Sequence, residues 1–215
     1  YTTTQLAVLS RFFPSAHFLL LGDENQAVNE GTASFAEVRD LFRRLRGSVD
    51  ECALMISYRS SPEITELFCK LLDERERVQA TSVQRPGTHP CIMEFADLDE
   101  YESALRDVVE KASGQEGLTA LIANTRSRAK QLAKLLAGIP IQVVSENSAL
   151  PTSGVVLLDV KLAKGLEFDH AIVPDVQEGA FPNEPLRRHR LYTAISRATQ
   201  RVTLLANGPL SNLLR

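Results

Sequence analysis

The chain has 215 residues, of which 44% are hydrophobic, and its formal net charge at pH 7 is −3. This composition predicts a folded core and excludes a uniformly basic nucleic-acid coat, so any contact with nucleic acid must be local. Three cysteines without a C-x-x-C pair, four scattered histidines and the lack of an apolar run of roughly 20 residues exclude a disulfide framework, a zinc cluster and a transmembrane helix.

Short apolar strands alternate with amphipathic helices along the chain, which predicts an α/β fold with a mainly parallel sheet. The predicted strands are 17–21, 53–56, 91–95, 118–123, 139–144, 155–159, 170–173 and 201–206. The predicted helices are 4–13, 35–46, 62–72, 98–112, 126–137, 186–197 and 209–214. Ser61 before Pro62, and Thr125 before Arg126, are typical helix caps. Residues 81–90 and 146–154 are polar and rich in turn formers, which indicates loops.

The start of the chain indicates a fragment. It lacks an initiator Met and begins directly in a helical pattern with Leu6, Leu9 and Phe12. We therefore expect the chain to be part of a longer cytoplasmic protein.

The first chemical block is GDENQ at residues 22–26, directly after an apolar strand. Asp23 and Gln26 thus follow the carboxyl end of a strand, where ligands bind in open α/β sheets. Gln26 is suited to orient an attacking water or to contact a γ-phosphate. An ordinary strand-to-loop turn explains the same residues.

The second block is SYRSSPEI at residues 57–64. Helix capping accounts for its serines and proline, but it leaves Tyr58 and Arg59 unexplained. The aromatic ring can stack on a base while the guanidinium reaches a phosphate. The alternative is a half-buried tyrosine beside a surface arginine.

The third block is AKGLEFD at residues 163–169, in a loop between two strands that also holds Lys161. Gly165 permits a close backbone approach, Lys164 is suited to a phosphate, and Glu167 can accept from ribose hydroxyls. A hairpin-like polar turn is the alternative.

The fourth block is LYTAISRAT at residues 191–199, which places Tyr192 and Arg197 on one helix. Arg197 is suited to act as an arginine finger in phosphoryl transfer, although a solvated helix cap is the simpler explanation. Just upstream, Arg187 and Arg188 start a basic run that either contacts a nucleic-acid backbone or forms a solvated helix start. The phosphate-binding G-x-x-x-x-G-K-[ST] pattern does not occur in the sequence.

Taken in this order, the four blocks resemble the third, fourth, fifth and sixth motifs of UvrD/Rep-type superfamily 1 helicases, and within them the helicase IV and HelD-type branch. The resemblance implies a RecA-like P-loop NTPase fold in which Gln26, Arg59 and Arg197 face the γ-phosphate of ATP. It also implies that Tyr58 stacks on adenine and that Glu167 holds the ribose.

Two departures from UvrD and Rep are visible. About ten residues join the strands near Val144 and Val155, where those proteins carry a large accessory domain, and this favours the HelD-like branch. Asp159 and Lys161 stand where those proteins carry a Thr and a His that contact single-stranded DNA.

The resemblance implies that residues 1–50 end a first RecA-like lobe and that residues 51–215 form the second. The phosphate loop and the Mg²⁺-binding residues would belong to the N-terminal lobe, so this fragment alone is predicted to be inactive. One hypothesis is an ATP-dependent helicase or translocase on single-stranded DNA. The second is a HelD-type ATPase that remodels RNA polymerase, and the third is an α/β domain without a motor role.

Overall fold

The structure is a computed structural model, and it describes residues 1–53, 56–72 and 81–215. The helices are α1 Thr3–Phe12, α2 Phe35–Arg46, α3 Pro62–Lys70, α4 Leu98–Ser113, α5 Arg126–Leu135, α6 Val160–Ala163 and α7 Pro185–Ile195. The strands are β1 Ile56–Ser57, β2 Thr81–Ser82, β3 Cys91–Phe95, β4 Leu118–Ala123, β5 Ile141–Val143, β6 Gly154–Asp159, β7 Phe168–Val173 and β8 Ala198–Asn207. A short 3₁₀ helix spans Glu24–Gln26.

Strands β3 to β8 form one six-stranded sheet in the order β3-β8-β7-β4-β6-β5. Every neighbouring pair is parallel, and the central β4 pairs with both β6 and β7. The predicted α/β fold with a mainly parallel sheet is thus confirmed. Strands β1 and β2 form a separate parallel pair.

Helices cover both faces of the sheet, which explains why its central strands are apolar throughout. On one face, α3, α6 and α7 share a hydrophobic core with alternate residues of β4 and β6, among them Ile122 and Leu158. On the other face, α4 and α5 pack on the intervening residues, among them Leu121 and Leu157. The two-residue period of a strand divides each apolar run between two cores.

Two of the predicted elements are wrong. Residues 17–21 form no strand, and Leu19 and Leu21 are each 82% exposed, because no described segment pairs with this backbone. Residues 209–214 form no helix. Instead, Ser211 donates its backbone N–H to Val176 and its hydroxyl to Phe181, which ties the end of the chain to the loop after β7.

Smaller differences concern caps and loops. Ser61 precedes α3, but its side chain makes no capping hydrogen bond within the described residues, whereas Thr125 accepts from the Arg128 N–H at 3.1 Å as predicted. The short strand β2 lies inside the predicted loop 81–90, and α6 lies inside the predicted polar loop around Lys161. Of the predicted strand 53–56, residues 54 and 55 lie outside the described part of the chain. None of the described helices has the length and apolar character that crossing a bilayer requires.

Candidate functional site

The first block is held together by the carboxylate of Asp23. Asp23 caps the 3₁₀ helix by accepting from the Asn25 N–H at 3.0 Å, and its second oxygen accepts from the Gln26 amide at 2.7 Å. The amide oxygen of Gln26 is thereby left facing outward from the turn. It accepts a 2.9 Å hydrogen bond from Arg197, which lies 171 positions further along the chain.

Arg197 lies just beyond the end of α7 and is 1% exposed, so it is not the solvated cap that the simpler explanation required. Its guanidinium donates to the backbone oxygens of Thr193 and Leu166, to the Ser196 hydroxyl and to Gln26. All four acceptors are neutral. Burial, reinforced by the positive charge of Arg59, lowers the pKa of Arg197 to about 10, so the side chain remains a buried cation at neutral pH.

Arg59 of the second block pairs with Glu167 of the third, with 2.5 Å between the arginine Nε and the carboxylate Oε1. The two side chains are 35% and 53% exposed, so solvent screens the pair and its contribution to stability is small. Tyr58 beside it is 70% exposed, which is inconsistent with the half-buried alternative. An aromatic ring in this position is free to stack.

Tyr58, Arg59 and Glu167 line an open cleft of about 610 Å³, which we call the arginine cleft, whereas Gln26 and Arg197 are not among its lining residues. Its other walls are the loop after β2, including Gln84, Arg85 and Gly87, and the start of β8 at Thr199–Arg201. No sequence pattern singled out these loop residues, because a polar stretch without periodicity predicts only a loop.

Two serines fix the second block to the fourth. The Ser60 hydroxyl donates to the Ala198 carbonyl at 2.6 Å, and the Ser61 N–H donates to the Thr199 carbonyl at 3.0 Å. These bonds join the segment of Arg59 directly to the segment of Arg197.

Tyr192 supports the first block from α7. It is 9% exposed, packs edge-on against Phe68 at 5.2 Å between ring centroids, and hydrogen-bonds to Asp23. Burial, and then the charge of Asp23, raises the pKa of its hydroxyl, which stays protonated. The sequence placed Tyr192 on the right helix but did not predict this contact.

In the third block, Gly165 has φ of +87°, a conformation that favours glycine, while Lys164 is exposed beside it at the end of α6. Asp159 caps α6 by accepting from the N–H groups of Lys161 and Leu162 at 2.8 and 3.2 Å. The predicted hairpin-like turn is not what forms, since β6 and β7 are separated in the sheet by β4.

A second concavity, of about 760 Å³, lies beyond the carboxyl ends of β4 and β6, and we call it the β6 groove. Its charged lining side chains are Arg126, Lys130, Glu146, Asp159, Lys161 and Arg190. Four cations therefore face two carboxylates. The sequence predicted Lys161, and Arg190 as part of the basic run that Arg187 begins, but it did not predict Arg126 or Lys130.

The structure does not bring all predicted nucleic-acid residues to this groove. Arg187 and Arg188 lie half-buried in the first turn of α7, outside the lining of the β6 groove, and Arg188 donates to the Asn183 side chain at 2.6 Å. Arg190 lines the groove instead and also donates to the Val28 carbonyl at 3.2 Å. Within the described residues, no three His, Cys, Asp or Glu side chains come together to hold a metal ion.

Comparisons with known proteins agree with this architecture. The profile of the family described as UvrD-like helicase C-terminal domain matches residues 154–205. Among solved structures, the chain is similar to the C-terminal domain of a possible DNA helicase from Lactobacillus plantarum WCFS1, at 30% identity and a TM-score of 0.60. That match covers 74% of this chain and 92% of the other.

Weaker likenesses, each at 16% identity and a TM-score of 0.36, are to the arterivirus nonstructural protein 10 helicase solved with DNA and to a CRISPR-associated protein. They cover 56% and 54% of this chain, and 30% and 16% of theirs, respectively. No curated protein matches the chain. On the profile match and the first of the structural matches together, the chain belongs to the UvrD-like helicase C-terminal domains.

Proposed function

We propose that this chain is the second motor lobe, with the tail of the first, of an ATP-dependent DNA helicase or translocase. In this proposal it supplies Gln26, Arg59 and Arg197 to an ATP site shared with an N-terminal RecA-like lobe.

The observation that carries the proposal is the buried charge of Arg197. Among the described residues, this guanidinium is 1% exposed, donates to neutral oxygens and interacts with the charges of Glu167 and Asp23 without a direct hydrogen bond. It therefore lacks the contacting anion that normally offsets the cost of burying a cation. The γ-phosphate of a nucleotide would supply that anion. Arg197 would then neutralise the charge that develops in phosphoryl transfer, and Gln26 beside it would orient the attacking water.

The arginine cleft fits the rest of a nucleotide. Tyr58 offers an exposed ring for the base, Arg59 a guanidinium for phosphate, and Glu167 a carboxylate for ribose hydroxyls. Lys164 and Gly165 lie on the same loop as Glu167 and would contact the nucleotide through charge and backbone. In this proposal the Arg59–Glu167 pair separates, so that each partner exchanges one charge-assisted contact for another.

Residues 17–21 support the proposed domain division. An apolar segment with two leucines at 82% exposure and no strand partner among the described residues has the character of an interior strand of another sheet. We propose that the N-terminal RecA-like lobe provides that sheet, together with the residues that hold Mg²⁺. Residues 1–50 would then end the first lobe, and residues 51–215 would form the second.

The β6 groove supports a nucleic-acid role. It lies at the carboxyl ends of parallel strands and carries four cations against two carboxylates on a chain whose net charge is −3. We propose that single-stranded DNA binds there through its phosphates, with Lys161 as one contact and with Arg187 and Arg188 flanking the path.

The nucleotide proposal is tested by steady-state ATPase kinetics. The 215-residue chain should show no turnover, and the protein that also contains the first lobe should hydrolyse ATP. In that protein, Arg59→Ala and Arg197→Ala should each lower kcat by about a thousandfold, because their contacts strengthen in the transition state. Tyr58→Ala should instead raise KM with a smaller effect on kcat.

Arg44→Ala is the matched control, since Arg44 is exposed on α2, away from the cleft. Turnover by the 215-residue chain that disappears in Arg197→Ala would refute the shared site. An unchanged KM in Tyr58→Ala would refute the stacking role.

The DNA proposal is tested by fluorescence anisotropy of a labelled oligonucleotide at two salt concentrations. A few phosphate contacts imply weak binding that falls steeply between low and physiological ionic strength, with little preference among sequences. Lys161→Ala should reduce the slope of log affinity against log salt by about one unit relative to the wild type. Tight binding that salt does not weaken would contradict phosphate-mediated binding in the β6 groove.

The second candidate is a HelD-type ATPase that remodels RNA polymerase. Only residues 144–153 join β5 to β6, and Asp159 is used to cap α6, so neither the accessory domain nor the DNA-contacting Thr of UvrD and Rep is present here. Strand-separation assays and co-purification with RNA polymerase, both on the longer protein, distinguish the two. Polymerase binding without unwinding would favour this second function.

A further inference from the structure

The arginine cleft contains a positive charge that the proposed roles leave unused. Three arginines line it, Arg59, Arg85 and Arg201, against one lining carboxylate, Glu167. Arg59 is paired with Glu167, and Arg201 donates to the Gln115 side chain. Within the part of the chain that the structure describes, Arg85 has no hydrogen bond or ion pair of its own.

The loop that carries Arg85 is fixed to the second block. The Ser82 hydroxyl donates to the Ser60 carbonyl at 2.7 Å, and the Gln84 amide donates to the Tyr58 carbonyl. The Val83 N–H donates to the Ser57 carbonyl at 3.2 Å, which extends the pairing of β1 with β2. The loop of Arg85 is therefore hydrogen-bonded to the segment that carries Tyr58 and Arg59.

Two further features restrict the loop on the other side of Arg85. Pro86 confines the backbone of Arg85 to extended conformations. The Gly87 N–H donates to Glu63 at 3.0 Å, and a Cβ at Gly87 would lie only 2.8 Å from the Cβ of Ser61. An arginine held in this way keeps its charge at the cleft with a smaller entropic cost on binding than a mobile one.

We propose that Arg85 is a further nucleotide-binding residue, whose guanidinium contacts the phosphate chain of a nucleoside triphosphate in the arginine cleft. This inference rests on the proposed function. It assigns to that site a residue that none of the four blocks contains. Arg85 would add to the affinity for the triphosphate in the ground state, whereas Arg197 would act mainly in the transition state.

The test is an NMR titration of the ¹⁵N-labelled 215-residue chain with ATP, tripolyphosphate or adenosine, without Mg²⁺. ATP and tripolyphosphate should shift the signals of residues 58–59 and 84–88, and adenosine should bind far more weakly. Arg85→Ala should weaken ATP binding by about fivefold to tenfold, as expected for the loss of one partly exposed charged contact. Arg85→Lys should recover part of this loss, and Arg44→Ala should bind ATP like the wild type.

The outcomes separate this inference from the proposed function. If Arg59→Ala weakens ATP binding and Arg85→Ala does not, Arg85 is not a ligand while the cleft remains the nucleotide site. If neither ATP nor tripolyphosphate binds the wild-type chain, both the inference and the assignment of the cleft are wrong. Adenosine binding as tight as that of ATP would overturn the phosphate contact, because the base alone would then account for the affinity.

Discussion

His170 should make the fold sensitive to mild acid. It lies in β7, is 6% exposed, and shares a 2.9 Å hydrogen bond between its Nε2 and the Thr203 hydroxyl, while its buried Nδ1 has no partner among the described residues. Burial, and secondarily the positive charge of Arg201, lowers its pKa from an ordinary value of 6.5 to about 4. The folded protein therefore holds His170 neutral at pH values where the unfolded chain protonates it.

Lowering the pH should destabilise the folded protein, because the folded and unfolded states bind different numbers of protons. Between pH 6.5 and 4 the unfolded state binds the proton and the folded state does not, so lowering the pH favours unfolding. Above about pH 6.5 neither state binds it, and the full stability is present. The shift corresponds to a loss of about 3 kcal/mol when complete, and to about 2 kcal/mol at pH 5.

The assay is urea denaturation followed by circular dichroism at several pH values from 7.5 to 5. His170→Gln keeps a hydrogen-bonding group for the Thr203 hydroxyl but cannot be protonated in this range. Between those limits its free energy of unfolding should therefore fall by about 2 kcal/mol less than that of the wild type. His17→Gln is the matched control, because His17 is exposed. Equal pH dependence in the wild type and in His170→Gln would refute the reasoning.

Two further predictions concern stability. Asp175→Ala should lower the free energy of unfolding in urea by about 3 kcal/mol, because it removes the carboxylate that binds Arg128 at 2.7 and 2.9 Å and a buried tyrosine hydroxyl at 2.8 Å; a loss below 1 kcal/mol would contradict this. Gly117→Ala should lower the melting temperature more than Gly138→Ala. Both glycines have φ near +90°, but only at Gly117 would the added Cβ lie 2.5 Å from an oxygen of Asp169. Equal decreases in melting temperature would show that backbone strain alone determines the loss of stability.

Sequence patterns predicted the sheet well because its central strands are short apolar runs between turn formers. β3 Cys91–Phe95 and β4 Leu118–Ala123 have the predicted bounds. Residues 17–21 carry the same pattern and yet form no strand. A strand needs neighbours as well as composition, and none of the described segments provides them.

The candidate site was only partly predictable, since spacing identifies residue types but not partners. The sequence singled out Gln26, Arg197, Arg59 and Glu167. It did not predict the hydrogen bond between Gln26 and Arg197 or the ion pair between Arg59 and Glu167, because each joins residues more than a hundred positions apart. Arg85 could not be found at all, because its position in the cleft depends on the pairing of β1 with β2.

The Arg59–Glu167 ion pair and the Arg197–Gln26 hydrogen bond differ in the contact that a ligand must displace. Arg59 and Glu167 are partly exposed, so a phosphate that takes Arg59 disrupts a contact already weakened by water. Arg197 is buried, and a phosphate that reaches it must compete with Gln26, which Asp23 holds in place at 2.7 Å. If Arg197 does meet a phosphate, the loss of its bond to Gln26 would link nucleotide binding to the contact between residues 1–50 and the rest of the chain.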